Sequence, residues 1–534
     1  MNFKTFFFSL FFFYSCLTYC QNNAIDVLHY KYDLSLTDSS DLIHVIATIR
    51  FKPIQSMNQV SFDLTGINNS KKGMVVQKIT GNGKPISFSH RDNKIVLSFD
   101  GALKANEESE IQVEYSGIPS DGLIISKNKY RNRTFFSDNW PDRAHNWLPC
   151  KDEPGDKASV EFIITAPDHY QVISNGIKVE ETNLSNDRKL THWKEDVPLA
   201  TKIMVIGVAA FAVNLAGEVN GIPVFSWVFP EEKEKGFYDY ALAKDPLSYF
   251  MNYIGPYGYK KLANVQSKTI FGGMENANAI FYSENSINGK RTSETLLAHE
   301  IAHQWFGDMA TEKSFPHVWL SEGFATYMTI MYMENKYGKD TAVKMLKEDR
   351  KQVEVFAKRD DRSIVDSTTK NYMDLLNVNS YQKGGWVLHM LRRQLGDSLF
   401  RKAIRTYYSA YAGKNADTDD LRKIFEQVSG KDLKTFFQQW LYMPGVPGLE
   451  VMWWLDGKTK KMNISVNQLQ KNAVFKFPLE IVLQSSSGSS RTEKLNITKQ
   501  KETFIFSANE KPQRITLDPN TSLLFYGTVA EAKQ

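Results

Sequence analysis

The stretch His299-Glu300-Ile301-Ala302-His303, followed after eighteen intervening residues by Glu322, requires two helices of this chain to converge on one point. Histidines four apart are neighbours on one helical face, so both imidazoles reach the same ion. Glu300 stands about 100° around that helix from His299, displaced from the ion but close to it, where a general base for a metal-bound water belongs. Glu322 supplies a third ligand from a second helix and leaves a fourth position open for water. By chance an HExxH arises in roughly one chain of this size per hundred, and one more glutamate at a fixed position cuts that by about another tenfold. The competing reading is two core histidines beside a salt-bridged glutamate.

Local patterns support the two helices. Thr292 and Ser293 are positioned to cap the first, and Leu296, Leu297, Ile301 and Trp305 give it apolar stripes before Gly307 ends it. The second opens at Ser321, runs through Phe324, Ala325, Met328, Ile330 and Met331, and stops near Gly338. Asp308 and Thr326 are candidates to orient the ligands, or are ordinary helix-end residues. Just upstream, Gly272-Gly273-Met274-Glu275-Asn276 joins two glycines, which let a substrate backbone approach, to a carboxylate able to hold a free ammonium group. A tight turn with an exposed glutamate is the alternative.

Together these segments resemble the aminopeptidase N family of zinc metallopeptidases, which includes leukotriene A hydrolase. The amine-binding signature Gly-x-Met-Glu-Asn is matched at Gly272, Met274, Glu275 and Asn276, with Gly273 between. The extended zinc signature is matched at His299, Glu300 and His303 to Asp308, then at Trp319, Leu320 and Glu322 to Ala325. Ser321 stands where the family usually has Asn. The resemblance also implies a role for Tyr381, in Tyr381-Gln382-Lys383-Gly384-Gly385: its phenol would donate to the oxyanion of the tetrahedral intermediate. Residue type alone would not select it among 24 tyrosines, and Tyr372 is a competitor. Pro149-Cys150-Lys151-Asp152-Glu153-Pro154, with Lys157 and Ala158, is similar to a family segment near the cleft. Ahead of it the family places a Gln or Glu that helps anchor the amine. Ser137-Asp138-Asn139-Trp140-Pro141-Asp142-Arg143 has neither, leaving Asn139 or Asp142 as substitutes and Trp140 as a pocket wall or a structural aromatic.

The resemblance implies one zinc on His299, His303 and Glu322, catalysis by Glu300 and Tyr381, and peptide substrates with a free N-terminus held by Glu275. A thermolysin-like endopeptidase, an epoxide-type hydrolase and a non-catalytic scaffold are the rival functions. The expected fold is α+β and multidomain, with an N-terminal β-rich saddle domain and a thermolysin-like mixed α/β catalytic domain. A small C-terminal β-sandwich follows, with no large helical C-terminal domain to roof the cleft, so an open site admitting longer N-termini is expected.

Residues 1–20 are expected to be a signal peptide: Lys4, then an apolar run from Phe6 to Tyr19, too short for a stable anchor. Thr18-Tyr19-Cys20 offers a cleavage site, and Tyr19 directly before Cys20 disfavours the lipoprotein alternative. The chain is therefore expected to be exported, to a periplasm or out of the cell. Loss of Cys16 and Cys20 would leave Cys150 alone, with no intramolecular disulfide. The β-patterned region is expected over 21–215, the catalytic unit over 216–443 and, after Met443-Pro444-Gly445-Val446-Pro447-Gly448, the sandwich over 444–534. A chain of 534 residues, 42% hydrophobic, has room for such cores. A formal charge of +5 without a basic run gives no support to nucleic-acid binding.

Overall fold

Alternation of apolar and polar residues builds the first region as sheet. In the computed structural model, which describes residues 24–532 apart from 361, 472 and 509, Ile43–Pro53 buries every second side chain, and Ile25–Ser35 does so on either side of a register shift between Val27 and His29. They are the centre of an eight-stranded sheet, with Ile25–Ser35 antiparallel to Ile43–Pro53 and parallel to Ala158–Pro167. A four-stranded sheet (Leu123–Lys127, Arg133–Ser137, Gln171–Ser174, Ile206–Ala209) brings this region against the following one. The expected signal segment, with Cys16 and Cys20, lies outside the described residues. Cys150 is buried and free.

A five-stranded mixed sheet follows, in the order Ala212–Val219, Ile222–Val228, Leu262–Ser267, Ala279–Ser283, Gly273–Met274. The strand Ala212–Val219 spans the expected 215/216 boundary and pairs wholly within this second sheet. Helices then dominate: Glu294–His303, Trp319–Tyr337, Lys339–Ala357, Gly384–Leu395, Asp397–Tyr411 and Thr418–Ser429. The Glu322 helix opens two residues before Ser321 and ends at Gly338, whose φ of 91° suits glycine. Ser293 does stand at the N-cap of the motif helix, yet its hydroxyl donates to the Ser286 carbonyl, and Thr292 accepts from Asn288. The preceding loop, rather than the helix N–H groups, takes the capping hydroxyls.

The last region stacks a four-stranded sheet, centred on Gly448–Asp456 and Lys461–Gln468, on a three-stranded one centred on Phe477–Gln484. Met462, Ile464 and Val466 on the one and Leu479 and Ile481 on the other are buried, as on the inner faces of a β-sandwich. No large helical domain occurs among the described residues, and no helix there is long and apolar enough to cross a membrane.

Buried polar contacts lock the first region onto the second. Lys202 Nζ pairs with Glu312 Oε1 at 2.5 Å with both side chains buried, and Lys157 Nζ donates to the carbonyls of Asp308 and Met309. Asn175 donates to the Ala277 carbonyl, and Asn278 Oδ1 accepts from the Gly176 N–H. These contacts grip the two segments that flank the motif helix, namely 275–278 and 308–312.

Candidate active site

Helix spacing and helix packing together bring three ligating atoms to one point. His299 Nε2 and His303 Nε2 are 3.1 Å apart, and Glu322 Oε2 lies 3.4 Å and 3.3 Å from them. A tetrahedral ion with bonds of about 2.0–2.1 Å has ligand–ligand edges of roughly 3.3–3.4 Å. The observed triangle matches that size. Glu322 Oε2 is also buried with no hydrogen bond of its own, a cost that a cation on this triangle removes. His299, His303 and Glu322 therefore fit one zinc ion, with two nitrogens and one oxygen as donors.

The charge distribution agrees. Burial alone would raise the Glu322 carboxyl, but the imidazoles of His303 and His299 hold it below the usual carboxylate range. Burial would lower His303, yet Glu322, Glu275 and Glu300 outweigh it and bring it up to about 10. Burial, then Glu275 and Glu322, pushes Glu300 well up. Three buried carboxylates around two imidazoles make an environment that strongly favours a cation.

Orientation of His303 comes from groups the sequence did not single out. Its Nδ1–H donates to the Phe306 carbonyl at 3.1 Å, and the Ser321 hydroxyl lies 2.9 Å from the same nitrogen. This fixes Nε2 as the ligating atom. Ser321, read in the sequence as a helix start and a departure from a family pattern, thus touches a ligand directly. Asp308 and Thr326 do not orient the metal ligands. Asp308 accepts from Gln304 Nε2 at 2.8 Å, and the Thr326 methyl packs where a Cβ on Gly385 would stand. Gln304 in turn donates to the Glu275 carbonyl and accepts from the Asn278 N–H, each at 2.7 Å. One side chain on the motif helix therefore sets the height of the Glu275 segment above the metal ligands.

That segment forms a short strand, with Gly273 opposite Tyr282 and Met274 opposite Phe281. The two glycines differ in use. A Cβ on Gly272 would stand 4.0 Å from Leu296 Cδ1, in open space, whereas a Cβ on Gly273 would come within 2.3 Å of Glu300 Oε1. Gly273 makes room for the glutamate of the motif. Met274 and Asn276 are buried, and the Asn276 carbonyl accepts from the Ala279 N–H to close the turn. Glu275 is 4% exposed, and its Oε1 is buried without a hydrogen bond. Burial, then Glu322, raises its carboxyl against the opposing pull of His303 and Lys202.

Tyr381 sits in a one-turn π-helix, Asn379–Lys383, directly ahead of the helix Gly384–Leu395. Such turns rotate a side chain out of the regular helical register. Its ring lies parallel to that of His299, with centroids 5.9 Å apart, and lines the same cavity. Burial, then Glu322, Glu275 and Glu300, pushes its phenol well above the ordinary value, so it stays protonated and able to donate. Tyr372 instead packs on Phe315, with centroids 4.4 Å apart, and does not line the cavity.

The cavity holds about 250 Å³ and gathers Glu275, His299, Glu300, His303, Glu322 and Tyr381. Asn139 is no substitute amine anchor. Its side chain is buried, donating to the carbonyls of Thr201 and Met204 and accepting from Trp147 Nε1. Asp142 does not line the cavity, but Trp140 does, together with Phe271, Leu296 and Leu376. Sequence reasoning missed Phe271 and Leu376, which lie outside regular helix and strand and carry no periodic signal, and read Leu296 only as part of the motif helix's apolar stripe. A larger cavity, of about 1700 Å³, lies beside Tyr253, Gly255, Arg401 and Arg405, where both arginines bind the carbonyls ending a helix.

Comparison with known proteins agrees with this geometry. Residues 238–440 match the peptidase family M1 domain and residues 27–203 the peptidase M1 N-terminal domain. Similar proteins include probable aminopeptidase 2 of Sulfurisphaera tokodaii, 25% identical over 86% of this chain and 59% of that protein. A glutamyl aminopeptidase of Bitis rhinoceros is 30% identical over 59% of this chain and 35% of that protein. The chain thus spans little more than half the length of the first and about a third of the second. The crystal structure of a mutant M1 zinc metallopeptidase from Deinococcus radiodurans superposes with a TM-score of 0.68 at 20% identity, over 78% of this chain and 94% of that one. Two matched domains of one family occupy most of the described residues, the second containing the zinc-fitting triangle, and the chain belongs to peptidase family M1.

Proposed function

We propose that this protein is a zinc-dependent aminopeptidase that removes single residues from the free N-terminus of peptides. One observation carries the reading. Glu275 is a buried carboxylate with an unsatisfied oxygen in the same small cavity as the metal ligands. A substrate ammonium pairs with it, whereas the interior of a polypeptide would leave it buried and uncompensated. That difference disfavours the endopeptidase alternative.

Each residue then has a task. Zinc held by His299, His303 and Glu322 supplies Lewis acidity, acidifying water and polarising a carbonyl. Glu275 fixes the ammonium, so the first peptide bond alone reaches the ligand triangle. Glu300, next to the ligands and given room by Gly273, accepts the proton of the attacking water at a carboxylate oxygen and delivers it to the leaving amine. Tyr381 donates its phenolic proton in a hydrogen bond to the developing oxyanion. The persistence of all five residues His299, Glu300, His303, Glu322 and Tyr381 in one cavity weighs against a non-catalytic scaffold.

The N-terminal sequence, Lys4 followed by the apolar run from Phe6 to Tyr19, supports export through a cleaved signal peptide.

The deciding experiment compares fluorogenic aminoacyl substrates in free and N-acetylated form, with and without chelator. Cleavage restricted to the free-amine set, lost with chelator and in Glu300→Gln, is the expected result. Equal cleavage of the acetylated set removes Glu275 from its role.

A further inference from the structure

We propose that Trp140 and Phe271, with Leu376, form the pocket for the first residue's side chain, and that it selects bulky uncharged residues. The substrates are then peptides that begin with an aromatic or large aliphatic residue. This inference rests on the aminopeptidase reading of the same cavity and names its substrate class.

The cavity's polar groups all have other tasks. Its ionisable lining consists of Glu275, the three zinc-fitting residues, Glu300 and Tyr381, and no lysine or arginine lines it. The rest of the wall is Trp140, Phe271, Met274, Leu296 and Leu376, with the two glycines. An acidic first residue would bring another carboxylate beside Glu275 and Glu300 with no cation to meet it. A basic one would find no spare carboxylate.

The nearby charges are committed elsewhere. Asp138, two residues from Trp140, is fully buried, accepting from Arg143 at 2.5 Å and from the Thr269 hydroxyl and Ile270 N–H, each at 3.0 Å. Arg143 also bonds Asp121 at 3.1 Å and donates Nε–H to the Trp140 carbonyl at 2.7 Å.

The same contacts make the wall rigid. Arg143 holds Trp140 by its backbone, and Asp138 ties down the two residues before Phe271. Trp140 is clamped edge-on between Phe271, 6.2 Å away at 87°, and Phe315, 6.3 Å away at 74°. Tyr372 backs Phe315. The neighbouring Asn139 amide is turned inward, so no polar group of this segment reaches the cavity. An indole therefore stands in a segment where the family commonly carries a polar anchor, and the pocket gains apolar contact there.

The test has a kinetic and a binding arm. Wild-type kcat/KM is measured on free-amine Phe, Leu, Ala, Glu and Arg substrates. Binding of phenylalanine amide and glutamic acid amide to zinc-loaded Glu300→Gln is measured by calorimetry. Expected are a preference for Phe and Leu over Ala of roughly 10- to 100-fold, from burying one large apolar side chain, and rates for Glu and Arg below Ala. Phenylalanine amide should bind at least ~10-fold tighter than glutamic acid amide. Trp140→Ala should lower kcat/KM for Phe and Leu substrates at least ~10-fold more than for Ala. Since that variant removes a buried ring, partly buried Leu376 provides a second: Leu376→Arg should raise the Glu-to-Phe ratio at least ~10-fold by adding a cation to the wall. Preference for Glu or Arg in the wild type, equal amide affinities, or a uniform loss on all substrates in Trp140→Ala would each overturn the pocket assignment. Cleavage of free-amine substrates without preference overturns the pocket alone; no cleavage of any of them overturns the aminopeptidase reading with it.

Discussion

Gly273→Ala offers a sharp test of the site because its cost falls on Glu300, the proposed general base, and hardly on the fold. The new Cβ would stand 2.3, 2.5 and 2.6 Å from Oε1, Cδ and Cγ of Glu300. Non-bonded carbon–carbon and carbon–oxygen contacts settle near 3.3–3.8 Å, so the carboxylate arm must withdraw by about 1 Å. The backbone cannot yield instead: Gly273 pairs with Tyr282, and the Gly272 carbonyl accepts from the Ser283 N–H at 2.9 Å. Gly273 is not among the glycines with positive φ, so alanine adds no conformational strain. A displacement of ~1 Å in a reacting group costs around 100-fold in rate, or about 2.7 kcal/mol of transition-state stabilisation. The expected phenotype is thus a loss of about two orders of magnitude in kcat/KM with one zinc retained per chain and Tm lowered by no more than a few degrees. Fluorogenic assay, metal analysis and calorimetric melting separate these quantities. Wild-type kcat/KM, or a loss of zinc that accounts for the lost rate, would refute the reasoning.

Four further outcomes follow from the geometry. Glu275→Gln keeps the shape but removes the charge facing the ammonium, and should raise KM for free-amine substrates by at least ~10-fold in steady-state assays while zinc content is unchanged. Gln304→Leu breaks the bond between motif helix and Glu275 carbonyl, and should raise KM more than it lowers kcat; loss of zinc in this variant would contradict that role. Ser321→Ala removes one of two groups at His303 Nδ1 and should weaken zinc about 10-fold in a competition titration with a chelating dye. Burial holds His389 down to about 4, with its Nε2–H given to the Thr521 carbonyl and Nδ1 accepting from Tyr327. Since its folded pKa is below the unfolded 6.5, its contribution is full above pH 6.5 and is lost as pH falls toward 4; that is about 3 kcal/mol at most, and His389→Gln should flatten the fall in Tm over this window.

The metal triangle was legible because its rule is local. Helical spacing places His299 and His303 together whatever the rest of the chain does, and a glutamate on the next helix completes the set. Tyr381 was legible only through family likeness, since a π-helical turn has no periodicity that sequence reasoning could use. Asp308 was open between orienting a metal ligand and ordinary helix-end chemistry, and its carboxylate is taken by Gln304, one turn earlier. The strands of the first and last regions were readable from alternation, but Leu262–Ser267 in the middle sheet is buried at every position and shows none; Ala212–Val219 fits either neighbouring sheet by pattern, and only its partner Ile222–Val228 decides.

Pattern could not reveal that the first region helps to build the site. Trp140 and Asp138 are separated from Phe271 by about a quarter of the chain, and the bond from Asp138 to the Ile270 N–H spans 132 residues. Lys202, also from that region, pairs with Glu312 and pulls against the raised carboxyl of Glu275. The motif helix supplies the reacting centre, while the distance from that centre to the ammonium and the shape of the first-residue pocket depend on an inter-region interface. An exopeptidase needs both: the chemistry of one helix pair, and a wall that stops the chain one residue beyond it. Substitutions at 138–143 should therefore change which residues are removed while leaving zinc affinity alone, and substitutions of His299, His303 or Glu322 should do the reverse.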